Sequence, residues 1–461
     1  MKSYIVLLVS FLFVSLFCSC DDDDNKDGGW KPESPKFDVV CENGKLEVVE
    51  NDTLVLKVKM ENIANTIFTW KVEGVEVAAD TIYAFVGKKL GDCKISVNAV
   101  NEGGETTVDA VVNVYGKYKY GTFILNEGQQ YAGKGGTLCF ISPKGVLTDS
   151  VYYRENGGRR LGMTTQDLYI HDGKMYIISQ LGNYNQFDGG YITVLNAETL
   201  KEIRVHQDEL DGELFAPTHL AVLSDEEIYI RDEEGINKFN STTKELVFVE
   251  GSEHATKTAM AVAHKRVFAA AGSDIIVIEN GSIVKRIAET GTISGVIRSS
   301  DGNIWYSCGA NGDNPAKIVK LNAENYSTKV NQITDAGAAD ILKGGFFATP
   351  YITAKADTIY MCSLEGWTGV TPVYRHLFSE NKTEAVLDIA AKVSDILTMY
   401  NGIAVHPITG DIYVNTIAAY SPNKENKTSV FSLQNGQFEL AATYKGHVLN
   451  SAGTFFTYNF E

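Results

Sequence analysis

The chain has 461 residues, of which 44% are hydrophobic, and a formal net charge of −17 at pH 7. This acidic balance argues against proteins that bind nucleic acid or adhere to anionic membranes by charge. A chain of this length exceeds a single compact core, so we expect two or more domains.

Residues 1–20 have the pattern of a lipoprotein signal peptide that ends in a lipobox. Lys2 precedes about 14 almost wholly apolar residues, from Tyr4 to Phe17, which suits a signal-peptide core and is too short for a stable membrane span. Small Ser19 then precedes Cys20, as a lipoprotein signal peptidase requires. We therefore predict that Cys20 is lipidated and anchors the protein to a membrane. A secretory signal that merely ends in two cysteines is the alternative.

Residues 21–34 begin with the sequence DDDDNKDGG, which buries no apolar surface and predicts a disordered acidic tether. Acidic residues directly after a lipidated cysteine also resemble the surface-export signal of Bacteroidota lipoproteins. That resemblance implies an outer-membrane protein that faces the outside of the cell. A plain solvated spacer remains the other interpretation.

Residues 35–116 read as about seven short strands. Every second residue is apolar from Thr53 to Met60 and from Lys94 to Val100, as in strands with one buried face. This density of strands predicts a small β-sandwich. Trp70 in FTWKVEG and the later GDCKISVNAVN resemble PKD and immunoglobulin-like spacer domains. Whether Cys41 and Cys93 form a disulfide is left open.

Residues 117–461 repeat a different unit, a strand, a tight turn and a second strand that contains an aromatic residue. Successive aromatics are 38 to 54 residues apart, and they are Phe123, Tyr176, Tyr229, Phe268, Tyr306, Tyr360 and Tyr413. Such periods, with four strands in each, are typical of a β-propeller. We predict an all-β protein in which seven blades follow the sandwich. The terminal FFTYNF, Phe455 to Phe460, is expected to pair beside the first strands and close the ring.

Long connections between strands and between blades are expected to meet at one face of this propeller, where they would form a binding site. Flat aromatic, amide and basic side chains in them favour ligand binding. The candidate residues are Tyr131, Arg159, Arg160, Tyr184, Gln186, Phe187, Lys257, Trp367, Tyr400 and Tyr420. Adjacent Arg159 and Arg160 in a Gly-flanked turn are the sharpest signal, because paired guanidiniums suit an anionic group. For any single aromatic or amide residue, an ordinary surface role is an equal explanation.

The sequence contains no GxSxG, P-loop, CxxC, HxxxH or HxxH pattern. We therefore predict no catalytic residues, no metal site and no cofactor.

The lipobox and acidic tail, FILNEGQQYAGKGGTLCF and LGMTTQDLYIHDGKMYIIS together resemble the YncE-like propeller surface lipoproteins of Bacteroidota. The resemblance covers residues 117–461 and implies capture of a metal chelate for delivery to a TonB-dependent outer-membrane receptor. The added N-terminal sandwich is more similar to the branch that binds ferric catecholate siderophores than to the branch that binds cobalamin. Cobalamin capture remains an alternative. Two alternatives from other functional classes also remain. One is a protein-protein adhesion or scaffold propeller with a flat loop face, and the other is a propeller lyase or hydrolase with converging acids or histidines.

Overall fold

A computed structural model describes residues 32–129, 133–184, 188–343, 352–363, 369–419, 426–448 and 450–460, apart from the side chains of Tyr400, His447 and Val448. The chain divides into two compact units, unit 1 (Met1–Val114) and unit 2 (Tyr115–Glu461). Within the described ranges, no helix combines the length and apolarity that crossing a membrane would require.

The described part of unit 1 is built from eight strands in two antiparallel sheets. One sheet has the order β1-β3-β6 and the other the order β2-β8-β7-β4-β5. The strands are β1 (Asp38–Cys41), β2 (Glu47–Val49), β3 (Thr53–Lys59), β4 (Ile67–Val72), β5 (Val75–Ala78), β6 (Ile82–Val86), β7 (Gly91–Asn101) and β8 (Gly104–Tyr115).

The two sheets of unit 1 enclose one apolar core. Trp70 is fully buried at its centre beside Leu56, Phe85 and Val97, and its indole Nε1 donates a hydrogen bond to the Asp80 carbonyl at 2.6 Å. Strand β5 was not expected from the sequence. The five cysteines in the described residues, Cys41, Cys93, Cys139, Cys308 and Cys362, are all free thiols, so the structure shows no Cys41–Cys93 disulfide.

The described part of unit 2 contains seven four-stranded antiparallel sheets. In the first, the last strand of the chain joins the first three strands of the unit, in the order β11-β10-β9-β36, and the other six each use four consecutive strands. The strands are β9 (Thr122–Asn126), β10 (Thr137–Ile141), β11 (Leu147–Thr148), β12 (Thr165–His171), β13 (Lys174–Ser179), β14 (Ile192–Asn196), β15 (Glu202–His206), β16 (His219–Ser224), β17 (Glu227–Arg231), β18 (Ile236–Asn240), β19 (Glu245–Phe248), β20 (Ala261–Ala263), β21 (Arg266–Ala271), β22 (Asp274–Glu279), β23 (Ser282–Ala288), β24 (Ile293–Arg298), β25 (Ile304–Cys308), β26 (Lys317–Leu321), β27 (Thr328–Gln332), β28 (Ile352–Lys355), β29 (Thr358–Met361), β30 (Val373–Leu377), β31 (Lys382–Leu387), β32 (Thr398–Val405), β33 (Ile412–Ile417), β34 (Asn426–Gln434), β35 (Gln437–Val448) and β36 (Ser451–Phe456).

In the connections that the structure describes, three short α-helices occur between these strands. They are α1 (Val151–Glu155), α2 (Ala336–Ile341) and α3 (Ile389–Lys392).

The repeated aromatics identified in the sequence occupy the second strand of each sheet, counting from the strand nearest the middle of the unit, and all seven are buried. Apolar clusters fill the space between successive sheets. One such cluster joins the seventh sheet to the first through Tyr413, Val430, Ile124 and Phe456. The core of unit 2 is therefore a ring of layers between neighbouring sheets, as in a β-propeller.

The ring closes with a small shift from the expected register. Strand β36 pairs antiparallel with β9, and Phe455 lies opposite Phe123. The pairing strand is Ser451–Phe456, whereas Thr457–Phe460 forms a 3₁₀ turn. Thr457 is still tied to the start of the unit, because its backbone N–H donates to the Gly121 carbonyl at 3.1 Å.

Antiparallel order places the connections of unit 2 at two different ends. Connections from first to second and from third to fourth strand lie at one end, which we call the short-turn end; examples are residues 172–173, 264–265 and 280–281. Connections from second to third strand and from sheet to sheet lie at the opposite, long-loop end; examples are residues 127–136, 149–164, 180–191 and 207–218. The long-loop end is where the sequence placed its binding residues.

Candidate functional site

A cavity of about 290 Å³ lies between the β9–β10 hairpin and the segment that connects the first sheet of unit 2 to the second, and both arginines singled out in the sequence line it. We call it the basic cavity. Its walls are residues 133–138 of the β9–β10 hairpin, residues 150, 152 and 153 at α1, and residues 159–161 of the turn that follows α1. It therefore lies at the long-loop end, beside the first sheet.

One wall is shaped by the glycine-rich β9–β10 hairpin. Gln129 and Lys134 exchange two backbone hydrogen bonds, of 2.8 and 3.1 Å. Gly128 has a φ of +82°, and a Cβ there would lie 2.3 Å from the Gly135 carbonyl oxygen. Only glycine fits this close approach, and the resulting turn brings Lys134 to the cavity wall.

Arg159 is fixed by a carboxylate that it shares with a tyrosine. Its Nε donates to Glu202 Oε2 at 3.0 Å, and the Tyr152 hydroxyl donates to the same oxygen at 2.5 Å. A terminal guanidinium nitrogen also donates to the Asp188 carbonyl at 3.2 Å. Burial, together with the hydrogen bond to Glu202, raises the pKa of Tyr152. Arg159 is thus an oriented donor, with Glu202 offsetting part of its charge.

Arg160 is held through its backbone, and its side chain is exposed. Its N–H donates to Asp188 Oδ2 at 2.9 Å, and its carbonyl accepts from the Gly189 N–H at 2.8 Å. These bonds fasten the turn after α1 to the β13–β14 loop. The same turn also meets the β9–β10 hairpin, since the Gly136 N–H donates to the Gly162 carbonyl at 3.0 Å.

The structure therefore brings together three long connections that carry predicted site residues, 127–136, 149–164 and 180–191. Tyr184 lies on the third of them and is exposed, but it is not among the residues that line the basic cavity. Lys257, on the β19–β20 connection, is half-buried and does not line the cavity either.

The remaining candidates lie outside the described residues. These are the lipidation site Cys20, the binding residues Tyr131, Gln186, Phe187, Trp367 and Tyr420, and the side chain of Tyr400.

Among the wall residues that were not singled out from the sequence are a basic residue, Lys134, and two aromatic residues, Tyr152 and Tyr153. The dipeptide Tyr152-Tyr153 immediately precedes RENGGRR, and Lys134 sits in the run AGKGG. A basic residue among glycines and two aromatics beside paired arginines were the available signals. Helix α1 turns Tyr152 inward and leaves Tyr153 half exposed, and no sequence pattern predicts this helix.

The basic cavity brings together the basic residues Arg159, Arg160 and Lys134, the exposed Tyr153 and Tyr152, which is only 2% exposed. Such a set neutralises an anion and packs on flat apolar groups. Across the described ranges, no group of three or more His, Cys, Asp or Glu side chains is arranged to hold a metal ion.

Comparison with known sequences assigns most of unit 2 to one family, described as a domain of unknown function (DUF5074), which matches residues 120–457. The chain belongs to the DUF5074 family. No curated protein matches the sequence.

Solved structures resemble this DUF5074 protein at low sequence identity. A quinonprotein alcohol dehydrogenase-like protein from Bacteroides thetaiotaomicron is 14% identical, with a TM-score of 0.53 over 89% of this chain and 96% of that one. TolB from Acinetobacter baumannii is 9% identical, with a TM-score of 0.39 over 80% of this chain and 79% of its own. The first likeness supports the predicted all-β, propeller-like fold and is compatible with a propeller protein of the Bacteroidota.

Proposed function

We propose that this DUF5074 protein is a surface lipoprotein whose basic cavity binds an anionic metal chelate, a ferric catecholate siderophore, for delivery to a TonB-dependent outer-membrane receptor. The observation that carries the proposal is the placement of Arg159, Arg160 and Lys134 around one cavity with Tyr152 and Tyr153.

The chemistry of the cavity suits this class of ligand. A ferric tris-catecholate is trianionic and presents flat aromatic rings, which call for fixed cations and for aromatic or apolar surface. The chain is strongly acidic overall, with a net charge of −17, so three basic side chains on one cavity are a local exception to its composition. We assign the anion to the basic residues that line the cavity, Arg159, Arg160 and Lys134.

The finer architecture belongs to the same proposal. We assign the seven sheets to a seven-bladed β-propeller in residues 117–461 and the two-sheet unit before it to an immunoglobulin or PKD-like sandwich in residues 35–116. Residues 21–34 are then an acidic tether to a lipid anchor on Cys20. In this scheme the propeller binds the ligand, the preceding segments set its distance from the outer membrane, and the protein performs no catalysis.

Titration of the chain from residue 21 onwards with ferric enterobactin tests the binding step. Replacement of Arg160 by Ala removes a hydrogen bond to a charged group and is expected to weaken binding about ten- to a hundredfold. Arg159→Ala is a less clean test, since it also leaves Glu202 without its cation. Lys144→Ala, on an exposed turn at the short-turn end, is the matched control and should bind as the wild type does.

The outcomes of this titration separate the alternatives. Tight binding of cobalamin that does not respond to Arg160→Ala would favour a cobalamin-capturing protein. Absence of binding to either chelate at micromolar concentration would reject chelate capture and favour the adhesion or scaffold role. Wild-type affinity of the Arg160→Ala variant for ferric enterobactin would reject only the basic cavity as the site.

A further inference from the structure

Among the residues that the structure describes, large exposed aromatic side chains lie on neighbouring connections of the long-loop end. Throughout the described residues, the aromatics among the large exposed apolar side chains are Tyr153 (51% exposed), Tyr184 (51%) and Phe215 (63%). They lie on three consecutive connections of the long-loop end, β11–β12, β13–β14 and β15–β16. We call these three side chains the aromatic ridge. Single exposed apolar residues are ordinary, but a row of three aromatics on adjoining connections is not.

Hydrogen bonds set the order of the three residues along the surface. On one side, the β13–β14 loop that carries Tyr184 is bonded to Arg159 and Arg160 through Asp188. On the other side, the Asn183 N–H of this loop donates to Gln207 Oε1 at 2.9 Å, on the connection that carries Phe215. Tyr184 is therefore the middle member, with Tyr153 and Phe215 at the two ends.

Phe215 is exposed because its backbone is held in place. Its N–H donates to Asp232 Oδ2 at 3.2 Å, and its carbonyl accepts from the Glu233 N–H at 2.9 Å. Leu214 before it and Pro217 after it are buried, and Ala216 has a left-handed φ of 51°. A ring presented in this way loses little conformational freedom when another surface covers it, which is the property of an interface anchor.

The two ends of the aromatic ridge carry opposite charge. Beside Tyr153, the basic cavity contributes Lys134, Arg159 and Arg160. The Glu202 carboxylate, paired with Arg159, and the exposed Asp188 offset part of this charge and leave a small positive excess. Beside Phe215, residues 207–218 hold no Lys or Arg. The exposed acids at this end are Asp208, Asp211, Glu213, Glu233 and Glu234. Glu233 pairs with Arg231, whereas the ion pairs of the described residues include none of the other four. The ridge is thus basic at one end, acidic at the other and aromatic along its length.

We propose that the aromatic ridge is the contact surface between two copies of this chain, related by a two-fold axis that passes close to Tyr184. A two-fold rotation about the middle of the ridge reverses its direction, so the basic end of each copy meets the acidic end of the other. Such a contact is self-complementary, as isologous dimers require. It buries the aromatics at the centre and leaves the charges at the rim, the usual anatomy of a protein interface. The opposed charges fix the antiparallel register.

Sedimentation velocity of the chain from residue 21 onwards, without ligand, tests the dimer. The protein should be dimeric at tens of micromolar in low salt and should dissociate towards monomer as salt screens the charged rim. Phe215→Ala, at an exposed position, should weaken the dimer at least tenfold without lowering the melting temperature. Since no chelate is present, the result is independent of whether the basic cavity binds one.

Charge-reversal variants distinguish the two-fold arrangement from non-specific association. Arg160→Glu alone and Glu213→Arg alone should each be monomeric, because each places like charges opposite one another at both ends of the contact. An equimolar mixture of the two variants should dimerise again, since every contact then joins opposite charges. Lys144→Glu and Glu226→Arg, both exposed at the short-turn end, are matched controls and should leave the wild-type dimer intact.

Three results would overturn the proposal. The first is a wild-type chain that stays monomeric at 100 micromolar in low salt, as it would if the ridge met a different protein. The second is a dimer that tolerates Phe215→Ala unchanged. The third is a mixture of the two charge variants that remains monomeric although both single variants are folded.

Discussion

At the short-turn end of unit 2, dipeptides such as Asn280-Gly281 and Asn435-Gly436 join neighbouring strands, and both residues of each have positive φ. At the long-loop end, the segment 149–164 instead includes α1 and a turn whose position depends on hydrogen bonds to Asp188 and Gly189. The first kind of connection is specified by its own two residues. The second is specified by neighbouring connections. In our proposal, residues at the long-loop end are available for binding, whereas those at the short-turn end serve the fold.

The sharpest test of this comparison uses two tyrosines of the same sheet. Tyr176 is 1% exposed, and its hydroxyl donates to Asp225 Oδ1 at 2.6 Å near the short-turn end, whereas Tyr184 is exposed on the long-loop end. Tyr176→Ala should lower the free energy of unfolding by about 3–5 kcal/mol, and Tyr184→Ala by no more than about 0.5 kcal/mol. Urea unfolding followed by circular dichroism measures both. Similar losses for the two variants would contradict the division of roles.

A smaller effect is expected at the turn His264-Lys265, which joins β20 to β21. Both residues have left-handed φ values, 48° and 59°, although neither is Gly or Asn. Left-handed backbone costs an ordinary residue about 1–2 kcal/mol. Replacing the pair with Asn-Gly should therefore raise the free energy of unfolding by about 1–2 kcal/mol.

The neighbouring turn Asn280-Gly281 supplies the reverse experiment for this prediction. Gly281 has a φ of 80°, so Gly281→Lys should destabilise the protein by a similar amount. If the Asn-Gly replacement at 264–265 left the urea midpoint unchanged, local turn conformation would not determine stability at this end.

The smallest expected effect is a pH dependence near the short-turn end. His376 is fully buried, its Nδ1 faces Thr383 Oγ1 at 2.9 Å, and its Nε2 faces Asn331 Nδ2 at 3.1 Å. Burial lowers the pKa of His376 below its ordinary value. The unfolded chain takes up this proton near pH 6.5, while the folded chain resists it. Stability contributed by neutral His376 is therefore present above pH 6.5 and is lost as pH falls below that value.

Unfolding free energies between pH 7.5 and 5.5 measure this loss, which is limited to about 1.4 kcal/mol for each unit by which the pKa is lowered. His376→Gln should unfold with a flatter pH dependence than the wild type. A His376→Gln variant with the same pH slope as the wild type would exclude this histidine as the cause.

The sequence predicted the repeating part of the fold because the repeat is local. Each repeated aromatic, such as Tyr229 or Phe268, lies in a short apolar strand beside a tight turn. The local sequence pattern of such a segment is enough to predict its conformation. Strand β5 was missed because its residues are mostly exposed and short edge strands carry little periodic signal. The closing strand was placed slightly late because its first residues, Ser451, Ala452 and Gly453, lack an apolar alternation.

The candidate site was predictable only in part, because local sequence patterns do not show which segments meet in the fold. Arg159 and Arg160 stand out in the sequence as a pair, and the structure places both at one cavity. Their neighbours Tyr152 and Lys134 reach it through contacts between segments, such as the Glu202 carboxylate shared by Arg159 and Tyr152. Residue type identifies a binding loop, but the partners of each side chain follow from tertiary packing.

The pairing of β36 with β9 has a consequence for the time at which unit 2 can be finished. The Gly121 N–H donates to Thr457 Oγ1 across 336 residues of chain, so the first sheet waits for nearly the last residues to be synthesised. Contacts this distant in sequence slow folding, because most of the chain must be ordered before they form. During synthesis and any passage across a membrane, one edge of β9 stays without its strand. A chain truncated a few residues before Ser451 would leave this edge of β9 permanently unpaired. We expect aggregation, rather than loss of binding, to be its first observable effect.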